Sequence, residues 1–389
     1  MSQFDTIIER KGTGALKTDA LMERFGSDDL IPLWVADMDF ATPDFILDAL
    51  RQRLEHPILG YTIEPADYRP SIIDWLQELH GAHVKPEWIS YIPGIVKGIG
   101  LAIHCFVKPE EAVIIQPPVY HPFRLVPEAI GREVIYNPLV KTADGRYEMN
   151  LNQLEKIASS PKARMLVMSS PHNPAGIAWS RATLEKVADI CSRHNVIVIS
   201  DEIHSEMMLW GKRHIPFYEV SQAARDCSIT FAAPTKTFNI AGVVSSYAIV
   251  PNDNLRKSFF DFLKGCELDE PTIFAPIATI ACYRKGHQWR REMLAYIEDN
   301  IRFVEEFCKE KLTGIVPVRP DASFLVWLDC RGLSLPHDQV VALFRDKAHL
   351  ALNDGGMFGK EGRCHMRLNV GCPRSALAAA LNQLEKALK

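Results

Sequence analysis

Residues 196–206 read VIVISDEIHSE, and this stretch decides the fold. The run Val196 to Ser200 is apolar, β-branched and too short for a helix, so it fits a strand buried on both faces. Asp201 and Glu202 follow at once, and an acid at the edge of a buried strand is costly unless something pairs with it. On the N-terminal side, Ser180 is placed to cap a helix running to about His194. Before that helix stands RMLVMS (164–169), a second short apolar run. On the C-terminal side Cys227 to Ala232 is a third strand, and Ser245 to Val250 adds another. Strands separated by helices predict an α/β fold with a mostly parallel sheet covered by helices on both faces. Such sheets hold their ligands at the carboxyl ends of the strands.

The same alternation extends outward. Ser71 to Leu79 reads as a helix, Ile89 to Ile92 as a strand ended by Pro93-Gly94, and Ile95 to Phe106 as a helix with one apolar face. Ala112 to Gln116 and Glu133 to Tyr136 are further strands. Toward the C-terminus one long helix is expected over Pro276 to Leu312. Ser323 to Leu328 then reads as a strand, Val340 to Lys347 as a helix, Cys364 to Leu368 as a strand and Ser375 to Leu388 as an amphipathic helix. The expected organisation is an N-terminal arm and entry segment over 1–50 that belongs with the small domain, a large domain over 51–287 and a smaller α/β domain over 288–389. The first 35 or so residues are polar and are expected to carry little local structure.

Composition excludes several classes. The chain has 389 residues, 47% hydrophobic and 24% charged, which is ordinary for a globular protein and not for a disordered or collagen-like chain. Lysine plus arginine is 44 against 48 acids, and no basic run marks a nucleic-acid surface. The nine cysteines show no CxxC spacing, so neither a zinc ribbon nor a disulfide framework is suggested, and a reducing, cytoplasmic setting is expected. The first residues lack the apolar run of a signal peptide, and no 18-residue apolar stretch predicts a membrane span.

Four features stand at strand ends. Pro93-Gly94-Ile95-Val96 is a strand–turn–helix junction whose free amides suit a phosphate. Ser170 to Gly176 (SPHNPAG) contains Asn173 in a turn; Asp201 ends VIVIS; and Ala233 to Asn239 (APTKTFN) presents Lys236. Gly98-Ile99-Gly100 does not complete a dinucleotide fingerprint, because Ile103 stands where its third glycine belongs. His204 with Glu206 makes an H-x-E string, but no P-C-x-x-C follows it, so a zinc deaminase is not indicated. His121 and His172 read as structural or pocket residues and not as metal ligands.

Order and spacing then matter: Asn173, Asp201 and Lys236 follow one another within the alternating region. With WVADMDF (34–40), GY (60–61), PGIV (93–96), PPVYHPF (117–123), SSPHNPAG (169–176), SDEIHSE (200–206), APTKTFNIAG (233–242), LNDGGMFG (352–359) and MRLNVGCPRS (366–375), the chain resembles the fold-type-I pyridoxal-phosphate (PLP) enzymes of the aminotransferase superfamily. Within them it is most similar to the cystathionine β-lyase, or C–S lyase, branch known as MalY/PatB. The resemblance implies a PLP cofactor linked to Lys236, with Asp201 beside its ring nitrogen, Asn173 at its ring hydroxyl and Tyr120 on its face. It implies phosphate contacts from Ile95, Val96 and Thr235, a cofactor-lining His204, and Arg367 for the substrate carboxylate, with Asn173 beside it. Tyr61 resembles a tyrosine that reaches the phosphate from a partner subunit, which implies a homodimer.

Departures from the wider superfamily are informative. His204 stands where many aminotransferases have tyrosine, and Val244 where many have a phosphate-clamping arginine. Both move the chain toward the lyase branch. Glu206 replaces that branch's aspartate, and Thr235 a serine. The implied activity is release of a thiol, pyruvate and ammonia from L-cystathionine or a related S-substituted cysteine. An aminotransferase, or a PLP-binding regulator without turnover, shares the same residues. WVADMDF holds no obvious reacting group and reads as a packed entry segment, with a gating role at the mouth of the site as the alternative.

Overall fold

The computed structural model describes residues 2–389. Seven strands form the large sheet: β1 (Ile89–Ile92), β2 (Ala112–Ile115), β3 (Glu133–Tyr136), β4 (Ala163–Ser169), β5 (Ile197–Asp201), β6 (Ser228–Ala232) and β7 (Ser246–Ile249). Their order across the sheet is β1-β7-β6-β5-β4-β2-β3. The run β3, β2, β4, β5, β6 is parallel throughout. β7 is antiparallel to both of its neighbours. The central strands are buried along almost their whole length, which is why they read as continuous apolar runs instead of alternating ones.

Helices cross between the strands. Among them are α1 (Tyr68–His80), α2 (Ile95–Phe106) and α3 (Arg181–Arg193). Ser180 caps α3 as expected, its hydroxyl accepting the Thr183 amide at 3.1 Å. In register, Ser169 lies opposite Asp201, and Asp201 opposite Phe231. The SPHNPAG turn, Asp201 and the APTKTFN turn therefore leave the sheet side by side.

The expected helix over Pro276 to Leu312 is instead two helices, α4 (Phe274–Lys285) and α5 (His287–Lys311). A Cβ on the intervening Gly286 would stand 2.2 Å from the Cys282 carbonyl oxygen and 2.4 Å from the Phe238 ring, so only glycine fits this junction. The apolar periodicity runs through it and hides the break. A second sheet, β8 (Val316–Val318), β9 (Leu325–Asp329), β10 (Asn353–Asp354) and β11 (His365–Asn369), has the order β8-β9-β11-β10 and is antiparallel. The segment 340–347 is helical in two pieces, an α-turn to Ala342 and a wider turn over Leu343–Lys347. The last helix, α6 (Arg374–Leu388), packs Leu377, Leu381 and Leu384 inward.

The polar first segment is more ordered than its composition predicts. Phe4 is buried against Phe40 and Trp289, and Lys17 is fully buried. Such isolated anchors have no periodicity to announce them; tertiary contacts alone fix them. One continuous apolar core joins Met38 and Phe40, Trp75 and Phe238, and Val326 and Leu368 of the second sheet. No helix among the described residues is long and apolar enough to cross a membrane.

Candidate active site

A cavity of about 290 Å³ opens at the carboxyl ends of β4, β5 and β6. Its floor is made by strand ends. α2 enters from Gly94, whose φ of 114° is open to glycine, and no side chain caps this helix end. The first amides of α2, those of Ile95 and Val96, have no carbonyl within the helix to bond and line the cavity. Asn173 is anchored by its own amide to Ser169 Oγ at 3.1 Å, and its carbonyl receives the Tyr120 amide at 3.1 Å. Tyr120 thereby joins the same wall.

Asp201 is 6% exposed, and the one hydrogen bond to its carboxylate among the described residues is from the Ile203 amide at 3.1 Å. Burial pushes its carboxyl up to about 7, against the opposing pull of that amide and of Lys236. Lys236 Nζ lines the same cavity and donates to the Ala36 carbonyl at 2.5 Å. Burial pulls this amine down to about 8; Asp37 and Asp201 oppose the fall and Arg367 assists it. His204 is buried and neutral, drawn down to about 3 by burial and by the charges of Lys236 and Arg367. Its Nδ1 has no hydrogen-bond partner among the described residues. Thr235 lines the cavity, and so does Val244, a β-branched residue held in the left-handed region at φ 56°.

Arg367 reaches the site from the second sheet. Its Nη1 donates to Asn173 Oδ1 at 2.9 Å, and its Nη2 to Asn353 Oδ1 at 2.6 Å and to the Trp34 carbonyl at 3.0 Å. Phe358 covers its face at 5.1 Å, and its Nε is buried without a partner. No carboxylate pairs with it among the described residues, and burial draws it down to about 10.

The structure brings Ile95, Val96, Tyr120, Asn173, Asp201, His204, Thr235, Lys236 and Arg367 to one place. It does not bring Tyr61 there. Tyr61 is fully exposed on an outward segment with Ile58, Leu59 and Ile63. Glu206 turns away from the cavity: its longer side chain accepts from the Tyr283 hydroxyl at 2.7 Å within the core. The aspartate-to-glutamate change therefore alters the support behind the loop and leaves His204 in the cavity.

WVADMDF proves to be more than a packed entry. Residues 34–40 form a roof whose main-chain groups are taken up by site side chains. Asn369 Nδ2 holds the carbonyls of Val35 and Asp37, each at 2.6 Å. Asn239 holds Met38 from both sides, accepting its amide at 2.9 Å and donating to its carbonyl at 2.9 Å. Asn239 and Asn369, which hold the roof, and Asn353, which holds Arg367, are residues that sequence reasoning passed over. The spacing held a clue for Asn369, which lies two residues after Arg367 on one strand and so on the same face.

Comparisons with known proteins agree with this geometry. The family model for aminotransferase class I and II matches residues 28–384. The chain is 40% identical to cystathionine beta-lyase PatB of Bacillus subtilis over 385 residues, 99% of each chain. It is 33% identical to protein MalY of Escherichia coli over 392 residues, covering all of this chain and 99% of that one. The crystal structure of the PLP-bound C-S lyase from Staphylococcus hominis superposes with a TM-score of 0.92 at 29% identity, covering 99% of this chain and 97% of the other.

Proposed function

The chain belongs to the class I and II aminotransferase family, and from that premise we propose its reaction: it is a PLP-dependent C–S β-lyase that cleaves L-cystathionine or a related S-substituted cysteine to a thiol, pyruvate and ammonia. One observation carries the reading. Three charged groups from distant segments share one site, Asp201 and Arg367 buried and Lys236 half-buried, yet Arg367 has no acid and Asp201 no hydrogen-bonded cation among the described residues. Buried charges persist only when something pairs with them. A bound anionic amino acid and a cationic ring nitrogen are the missing partners.

The groups present fit PLP. The uncapped amides of Ile95 and Val96, with the Thr235 hydroxyl, suit its phosphate. When bound, PLP supplies an aldehyde for attachment to an amine and a ring that accepts the electrons left on the substrate Cα. With PLP in this cavity, Asp201 would hold the proton on the ring nitrogen, Asn173 would donate to the ring hydroxyl, Tyr120 would lie against the ring and His204 would line it. Lys236 Nζ, drawn down to about 8, is poised near neutrality to take the Cα proton and return one. Arg367 binds the substrate carboxylate through donors that its own asparagine partners leave free. With the Cα proton taken, the Cβ–S bond would break with its electron pair leaving on sulfur, which takes up a proton as the thiol, and water would convert the remaining three-carbon enamine to pyruvate and ammonia.

The molecule works as a homodimer in this reading, and the exposed Ile58, Leu59, Tyr61 and Ile63 support it. Tyr61 reaches the partner's phosphate site. Sedimentation should find a dimer, and Tyr61→Phe should loosen PLP; a monomer that retains PLP as tightly would remove this element. All nine cysteines are free, in keeping with a reducing cytoplasm.

The decisive experiment mixes the PLP-loaded protein with a panel of sulfur amino acids and scores thiol and keto acid together. Equal yields of thiol and pyruvate are expected. Amino transfer to an added keto acid without thiol release would replace the lyase reading with a transaminase. Borohydride reduction followed by peptide mapping should place the cofactor on Lys236.

A further inference from the structure

The roof segment is tied to two opposed charge clusters. On its outer side, Arg10 donates to Asp37 at 2.7 Å and to Asp39 at 2.7 Å. Lys17, fully buried in the N-terminal arm, meets Asp39 at 2.8 Å and Asp37 at 3.7 Å. On its inner side the Ala36 carbonyl, one residue before Asp37, accepts from Lys236 Nζ. Burial of a lysine with no solvent contact is tolerated only when its partners are fixed. The arm therefore pins 37–39 from outside, and that pinning sets where the Ala36 carbonyl sits.

We infer that Asp37, clamped by Arg10 and Lys17, is a positioning residue for Lys236: it fixes the Ala36 carbonyl that receives the free amine and supplies the negative charge against which that amine exchanges its proton. The inference rests on the reading of Lys236 as the reacting lysine. Four groups face the amine from the surrounding elements: Asp37 on the roof, Asp201 at the end of β5, Arg367 on β11 and the neutral His204. Asp37 and Asp201 both favour the charged amine. Arg10 in turn offsets Asp37. Removing the acid and removing its clamp should then move the amine in opposite directions. A segment that serves only as packing would move it one way in both cases.

The test titrates Lys236 in the full-length, cofactor-free chain by trace acetylation with acetic anhydride from pH 6 to 10, read by mass spectrometry of its peptide. Asp37→Asn should lower the midpoint by about half a unit, an increase of about threefold in reactivity below it. Arg10→Ala should raise the midpoint, and Arg10→Lys should restore it. Shifts in the same direction, or none, would overturn the inference. Should Asp37→Asn not fold, Arg10→Ala decides alone: an upward shift supports the assignment, and a downward or absent shift ends it. Borohydride mapping of PLP to another lysine would sink the proposed function instead, so the two failures are distinguishable.

Discussion

The floor of the cavity is held by main-chain pairing: Ser169, Asp201 and Phe231 lie in register on three neighbouring parallel strands. The roof over 34–40 has one main-chain bond, from the Asp39 amide to the Gly371 carbonyl at 2.7 Å, and is otherwise held by side chains, from Arg10, Lys17, Lys236, Asn239, Arg367 and Asn369. Backbone ladders fix position cooperatively and tolerate the loss of any one side chain. A roof held by single side-chain hydrogen bonds does not. Damage to the floor residues should thus be chemical, whereas damage near the roof should combine binding with stability.

The largest effect expected is on the floor. Asp201→Asn removes the charge opposite the ring nitrogen and should lower turnover by about 10²–10⁴-fold, as loss of other preorganised charges does. Stability should move the other way. The Asp201 carboxyl titrates near 7 in the folded, cofactor-free chain and near 3.8 when exposed. Between these values the folded chain keeps a proton that the unfolded chain has lost, so this group's contribution to stability is full below about pH 4 and falls as pH rises to 7. Asparagine has no such penalty. Cofactor-free Asp201→Asn should melt above the parent at pH 8, by at most about 4 kcal/mol, and level with it at pH 4. Calorimetry across this range checks it; a lower melting temperature at pH 8 would show that the buried charge is satisfied within the floor.

Arg367 lies at the junction of the two regions and comes next. Arg367→Ala should weaken amino-acid binding by about a hundredfold, roughly 3 kcal/mol, with a smaller change in turnover once saturated. Arg367→Lys should recover only part of it, because one ammonium cannot replace a fork that serves Asn173, Asn353 and Trp34 together. Substrate titrations followed by absorbance measure both. Unchanged affinity in the alanine variant would move the carboxylate site elsewhere.

The smallest effect belongs to the roof's own fastening. Asn369→Ala leaves the carbonyls of Val35 and Asp37 without their donor and should cost about 1–3 kcal/mol of stability. Turnover should fall about tenfold as the roof loosens over Lys236. Thermal melts and kcat/KM read the two together. A stable variant at full activity would mean that the ion pairs of Arg10 and Lys17 hold the roof alone.

Glu206 and Asp201 show how far sequence reaches. Both are buried carboxyls pushed up to about 7, five residues apart in one string. Sequence and resemblance picked Asp201 from the string as the acid of the site, but not where Glu206 goes; the turn at Ser205–Met207 sends it to Tyr283. Helix α2 and strand β1 were legible to the residue, since their apolar pattern ends at Pro93-Gly94. The break at Gly286 was not, because the apolar pattern runs through it and one of the two groups that crowd a side chain there, the Phe238 ring, is 48 residues away.

By itself, then, the order of residues determined the alternating strands, their buried runs and the turns that present Asn173, Asp201 and Lys236, because hydrophobic period and turn chemistry act over a few neighbours. Only tertiary structure decided that Arg367 is left without an acid, that the Ala36 carbonyl meets Lys236, and that a polar arm clamps Asp37. Those outcomes depend on which distant groups share a space from which water is excluded. Local pattern does not carry that information.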